Sequence, residues 1–353
     1  MTRRWRLGAV VCVLAITAAG CGGGSPSASS GGSKVVYINS SGGVLDDVVR
    51  QIMWDPFTKE TGIKVINSAP VDNAKLKAMV DSGSTQWDIT EVDDGDFVRD
   101  TNQGLLQKID KSQLPMSDLP RDAVTDYGVW DGPYSTVLVW DTDKWPVSSK
   151  HPTSLMDLWN QTDFPGPRCM WKDAMDNLEL AAQHAGISRS SVYPINQDQA
   201  YKELDKLKPH VGVWWTTGAQ SVQSIVNHDC VMGTAWNGRP YQLVVQNNAH
   251  LAVAWPGAVL RVSWWAIPKG AAHKDAAMKL IAFMQDPKRQ AQQAEKTGYS
   301  GPNQKTASFM SEAARQYLST APDHLSVTVV ADDKWWSDNG PAAENRFTAW
   351  ITS

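Results

Sequence analysis

Cysteine is scarce in this chain of 353 residues: there are four, at positions 12, 21, 169 and 230, and none has the Cys/His spacing of a zinc site. A G-x-S-x-G elbow and an H-E-x-x-H helix are also missing. His184, His210, His228, His250 and His273 are scattered, with no nucleophile beside them in a motif. These absences remove the usual marks of a hydrolase or a metalloenzyme, and no cofactor motif replaces them. Long apolar runs are lacking too. The candidate at Leu7–Ala19 is about thirteen residues, short for a bilayer span. Excess positive charge is the last absence. Beyond residue 20, 30 basic residues face 37 acidic ones, which argues against nucleic acid as a partner and is mildly congenial to cations.

What is present begins with an export pattern. Arg3, Arg4 and Arg6 precede the apolar run, as in a secretory signal. Ala18-Ala19-Gly20-Cys21 then leads into "GGGSPSASSGGS", a flexible tether. The segment resembles the lipobox of bacterial lipoproteins, except that Ala18 stands where leucine is usual. It implies a signal peptide over 1–20, lipidation of Cys21 and a tether over 21–33. Acyl chains would then hold the protein at the outer face of the cytoplasmic membrane. In such an oxidising compartment Cys169 and Cys230 can pair. Two buried free thiols are the alternative, and the sequence leaves both open.

The roughly 320 residues that follow exceed what one core usually holds, so two lobes are expected. Strand and helix patterns alternate. "KVVYI" reads as a strand, and "VLDDVVRQIM" places Leu45, Val48, Val49, Ile52 and Met53 on one helix face that Pro56 disturbs. "IKVI", "DITEV", "RCMW", "CVMGTAW" and "VSWWAIP" read as strands, with helical patterns between them. The alternation predicts parallel sheet covered by helices, with ligand sites beyond the strand ends.

"FTKETGIKVI", "GLLQKIDKSQLP", "YSTVLVWDTDKWP", "AWNGR" followed by "VVQNN", "WWAIPKGAAHKDAAMKLIAFM" and "GYSGPNQK" occur in order between about Val35 and Thr306. Together they resemble the spermidine/putrescine-binding proteins of ABC transporters. The resemblance implies an α/β, two-lobed periplasmic-binding-protein-like fold (type II) with a crossing-strand hinge. By analogy one lobe spans 34–138 plus 265–310, and the other 139–264 plus 311–353. It implies a monomeric receptor that closes on a small solute without catalysis and hands it to membrane permease subunits.

In that family aromatic faces and carboxylates hold the amine. The chain has seventeen tryptophans, so aromatic walls are available. Trp236 and Tyr299 match family aromatics, with core packing as the alternative for each. Asp173 and Asp176 match two acidic contacts, or else cap a helix start. Two departures stand out. Ser263 replaces an aspartate that grips an amine, and Arg261 replaces a tryptophan. In "INSSGG", Ser40 lies among small residues that replace an aromatic-containing segment. A polyamine or related small amine is the first expectation. A zwitterionic or anionic solute recognised by an inward-pointing Arg261 is the alternative.

"WDITEVDDGDFVRD" holds six carboxylates but lacks the register of a calcium loop. It reads as a solvated, acidic helix start, with Glu91, Asp93 or Asp94 as candidate cleft contacts. Thr216 or Thr217 is expected to cap the helix that begins near Ala219.

Overall fold

The computed structural model describes residues 34–353. The expected signal, Cys21 and tether lie outside the described residues. Among the described residues no helix is long and apolar enough to cross a membrane.

The first sheet contains β1 (Val35–Asn39), β2 (Lys64–Ser68), β3 (Ile89–Asp93), β4 (Leu106–Gln107) and β5 (Gly128–Trp130). The chain then crosses to a second sheet with β6 (Tyr134–Asp141), β7 (Arg168–Trp171), β8 (Val211–Trp215), β9 (Met232–Trp236) and β10 (Leu251–Arg261). It returns to the first sheet in β11 (Ser263–Pro268) and ends in the second with β12 (Val329–Val330). Strand order is β2-β1-β3-β11-β4 with β5 also on β11, and β12-β10-β6-β9-β7-β8.

Both sheets are mixed, which corrects the expectation of parallel sheet. β1, β2 and β3 run parallel, as do β7, β8 and β9, but β11 is antiparallel to β3, and β6 and β10 are antiparallel to each other. The reason is the path of the chain. The strands that enter from the other lobe carry the reversal. Only Asp131–Pro133 separates β5 from β6, and only Val262 separates β10 from β11. These two short crossings are the hinge.

Helices cover the sheets: α1 (Gly43–Val49), α2 (Asp55–Thr61), α3 (Asn73–Asp81), α4 (Asp94–Asn102), α5 (Asn177–His184), α6 (Gln197–Leu207), α7 (Gly218–Val226), α8 (Gly238–Tyr241), α9 (Lys274–Phe283) and α10 (Pro287–Thr297). Pro56 does not end the first helical run. A π-helical turn, Arg50–Trp54, joins α1 to α2 and takes up the irregularity. Proline has no N–H to offer the Ile52 carbonyl, and Arg289 Nη1 donates to that oxygen instead, at 3.0 Å. Thr217 caps α7 by accepting from the Gln220 N–H at 3.3 Å.

Each sheet has its own apolar core, drawn from 36–130 plus 260–284 in one lobe and from 137–259 in the other. Cys169 and Cys230 are joined in a disulfide at the centre of the second core, with a Cα separation of 5.7 Å. The C-terminal helix, Asp333–Thr352, packs Trp336, Ala343 and Phe347 against Leu178, Ala181 and Leu204 of the second lobe. Its first turn also reaches the first lobe, where Trp264 Nε1 donates to Asp333 Oδ2 at 3.2 Å.

Candidate functional site

The ends of β7, β8 and β9 and the start of β6 bring four aromatic rings together. Trp171 stacks on Trp215 with centroids 5.6 Å apart, and Trp236 meets both edge-on at 5.4 Å. Tyr134, the first residue after the hinge crossing, meets Trp236 edge-on at 5.9 Å. Trp236 remains half-buried, and its indole N–H is buried without a protein partner. It is therefore both part of the aromatic packing and a wall with an unused donor.

Tyr299 follows α10 and lies against Gly238. A Cβ on Gly238 would stand 2.4 Å from the phenol ring, so only glycine admits this contact. Burial pushes the Tyr299 hydroxyl up to about 12, and the Arg239 guanidinium that hydrogen-bonds it opposes the rise. Arg239 also adjoins Trp236, since both crowd the same point above Gly218. Its Nε is buried with no hydrogen-bond partner. Sequence reasoning weighed Trp236 in "TAWNGR" and passed over the arginine three residues later. Its position at the start of a helix that follows an aromatic strand end was the available signal.

Arg261 neither faces solvent nor offers a free fork. It is 1% exposed. Its Nε donates to Asp176 Oδ1 at 2.6 Å, Nη1 to Asp94 Oδ2 at 2.9 Å and Nη2 to Glu179 Oε1 at 2.9 Å. Thr136 Oγ1 donates to the other Asp176 oxygen at 2.5 Å, and Tyr193 and Trp336 both donate to Glu179 Oε1. This corrects the expectation of a guanidinium held ready for an anion: each of its three nitrogens already serves a protein carboxylate. Asp176 is committed to the same cluster and makes no capping bond at α5. It holds a positive φ of 65°, uncommon for a non-glycine residue.

Asp173 is half-buried and turned elsewhere. Its Oδ1 accepts from the Met175 N–H at 2.9 Å. Burial, followed by the charge of Glu344 on the C-terminal helix, pushes its carboxyl up to about 7.

A second acidic group gathers at the first lobe. Ser40 Oγ lies 2.6 Å from Asp46 Oδ2 and 2.9 Å from Asn67 Oδ1, so its hydroxyl is held within the protein. Glu91 accepts from the Ser41 N–H and hydroxyl, each at 2.7 Å. Desolvation pushes Glu91 up to about 7, with Asp93 and Asp46 adding to the rise and Ser41 opposing it. Ser263 Oγ donates to Asp131 Oδ2 at 3.4 Å. Burial and then Glu91 and Asp46 hold Asp131 well above the carboxylate range. Asp131 was not singled out from the sequence, because nothing in "VWDGPY" separates a hinge carboxylate from a turn residue. The "WDITEVDDGDFVRD" stretch thus divides. Asp96 pairs with Arg99 on the surface of α4, whereas Glu91 is buried against Ser41 and Asp94 is buried against Arg261. Among the described residues no cluster of His, Cys, Asp and Glu is arranged to hold a metal.

Residues 53–317 match the family profile described as bacterial extracellular solute-binding protein. The gamma-aminobutyric acid-binding protein of Pseudomonas aeruginosa is 32% identical over 326 residues, covering 90% of this chain and 91% of the relative. The spermidine/putrescine-binding periplasmic protein of Salmonella typhimurium is 30% identical over 308 residues, covering 82% and 84%. The solved Atu4243-GABA receptor superposes with a TM-score of 0.80 at 31% identity, covering 90% of this chain and 97% of that one. These relatives are named for the solutes they bind and not for a reaction. With its two lobes, crossing-strand hinge and this likeness over most of its length, the chain belongs to the bacterial extracellular solute-binding proteins, the receptors that serve ABC transporters.

Proposed function

We propose that the protein is the receptor of an ABC importer for a short aliphatic solute that carries a primary ammonium and a carboxylate at its two ends. The ammonium is shared chemistry, since relatives named for gamma-aminobutyric acid and for spermidine/putrescine both bind such a chain end. The carboxylate rests on one observation: Arg239, beside Trp236 and Tyr299, has a buried Nε without a protein partner. A buried guanidinium N–H left unmade is costly, and a ligand carboxylate satisfies it. At the other end no cation is among the groups that act on Glu91 and Asp131: burial and neighbouring carboxylates raise both, opposed only by hydrogen bonds from Ser41 to Glu91 and from Ser263 and Trp265 to Asp131, so an ammonium there relieves both burial and repulsion. Arg239 adjoins Trp236, and Asp131 opens the segment that runs into Tyr134, whose ring meets Trp236. The alternative of an anion gripped by Arg261 is thereby replaced by one that uses Arg239.

A diamine or polyamine is the second reading, favoured by the number of carboxylates whose protons the cleft holds. Glu91 is pushed up to about 7 and Asp131 well above the ordinary carboxylate range, both chiefly by burial. The test is calorimetric titration of the purified protein, freed of solute by unfolding and refolding, with 4-aminobutyrate, putrescine and spermidine. We expect 4-aminobutyrate to bind more tightly, and Arg239→Ala to weaken it while sparing putrescine. Tight putrescine binding with silence toward 4-aminobutyrate selects the second reading, and silence toward all three rejects both. Export and anchoring through Cys21 belong to the same proposal; Cys21→Ser should move the protein from the membrane fraction into the soluble one.

A further inference from the structure

The cluster around Arg261 joins the two lobes through one side chain. Arg261 closes β10 in the second sheet, opposite Tyr134. Two of its partners, Asp176 and Glu179, flank the start of α5 in the same lobe. The third, Asp94, begins α4 directly after β3 of the first sheet. The Nη1 to Asp94 bond at 2.9 Å therefore crosses from one lobe to the other, next to the hinge crossing at Val262. The Trp336 ring lies 4.8 Å from the guanidinium carbon, and its indole N–H donates to Glu179. The same residue packs on Gly95, the neighbour of Asp94. Asp94 Oδ1 is taken by the Gly95 N–H at 2.8 Å, so both of its oxygens are used within the protein.

We infer that Arg261 and Asp94 form an inter-lobe latch, which biases the solute-free receptor toward closure and contacts no ligand. Asp176 and Glu179 fix the guanidinium in place on the second lobe, and Trp336 covers it. Of the three carboxylates that hold the guanidinium, Asp94 alone stands on the first lobe, so its bond is the one of the three that opening breaks. A receptor whose closed form is more populated before binding spends less of its ligand affinity on closing, and apparent affinity scales with that population. Because the latch acts on closure, it raises affinity for every solute by one common factor. This inference rests on the lobes closing around a solute and is independent of which solute it is.

The experiment uses Asp94→Asn, which keeps the shape and the Gly95 contact, and Asp94→Ser, which removes the carboxamide as a substitute acceptor. The ordered partners of Arg261 on the second lobe are untouched in both. Small-angle X-ray scattering of the solute-free proteins reads opening without any ligand, so its result stands whether or not the proposed solute class is correct. Titration with 4-aminobutyrate and with putrescine then reads the factor. We expect a larger radius of gyration for both variants and an affinity lowered about tenfold, the scale of one charge-assisted hydrogen bond, equally for each solute that binds. Unchanged scattering overturns the latch. So does a factor that differs between solutes, which would put Asp94 in contact with the ligand.

Discussion

Replacing Asp173 by asparagine removes an ionisation that the fold opposes. The carboxyl is raised from an ordinary 3.8 to about 7, first by burial and then by Glu344, which shares its proton across the gap to the C-terminal helix. Glu344 Oε2 accepts from the Ala174 N–H at 3.0 Å, which pins the two carboxyls side by side. The sign follows from linkage. At pH below the unfolded value both states hold the proton and the contribution to stability is complete; as pH rises toward the folded value, the unfolded chain ionises freely while the native one does not, and stability falls. Over that interval the full linkage amounts to about 4 kcal/mol as an upper bound. Asp173 borders solvent, so we expect about 1–2 kcal/mol. Asparagine mimics the protonated acid: its oxygen still accepts from Met175 and its amide donates to Glu344. Urea unfolding of the two proteins at about pH 4.5 and about pH 8 should thus show D173N gaining about 1–2 kcal/mol on the parent as pH rises. A difference that does not change with pH would refute the proton-sharing account. It would return Asp173 to the pool of ligand contacts.

Two further substitutions test the scaffold and the aromatic wall. Arg168 is fully buried and hydrogen-bonds to carbonyls in place of a carboxylate, donating to those of Leu158, Gly166 and Asn160 at 2.9, 2.7 and 3.2 Å. Burial lowers its pKa to about 10; Arg168→Ala strands those carbonyls and should cost about 3–5 kcal/mol in urea unfolding, whereas a cost under about 1 kcal/mol would mean that water replaces the guanidinium. Gly238→Ala places a methyl 2.4 Å from the Tyr299 ring, so solute affinity should drop at least about tenfold with the displaced ring. Unchanged affinity in the same titration would remove Tyr299 from the site.

Local pattern carried the elements well. "IKVI" and "DITEV" became β2 and β3 almost residue for residue, and Thr217 caps α7 as its hydroxyl and position suggest. Strand direction was not legible, because whether β11 runs with or against β3 depends on which lobe the chain arrives from. The fate of Pro56 was hidden for a similar reason: the donor that satisfies the freed Ile52 carbonyl comes from Arg289, 237 residues further on. Among the clustered aromatics, Trp236 was singled out by the resemblance and by its place at a strand end, whereas Tyr134, Trp171 and Trp215 around it were not. Arg239 and Asp131 were not, since their significance lies in what surrounds them after folding: a missing partner for one and crowding by like charge for the other.

The two departures at the second hinge crossing show why a substitution read in isolation misleads. Serine at 263 and arginine at 261 look like a loss of one negative charge and a gain of one positive charge, hence a cleft turned toward anions. After folding, the Arg261 charge is spent on Asp94, Asp176 and Glu179, which outnumber it three to one. Ser263 meanwhile sits in hydrogen-bond range of Asp131, a carboxylate that reaches the same place from the other crossing strand. The carboxyl absent at 263 is therefore matched by one at 131, brought in by the other crossing. On the proposed reading the acceptors for an ammonium are Glu91 and Asp131, and the donor for a carboxylate is Arg239. A charge balance taken over neighbours in space, not over aligned positions, is what separates a rewritten specificity from a relocated one.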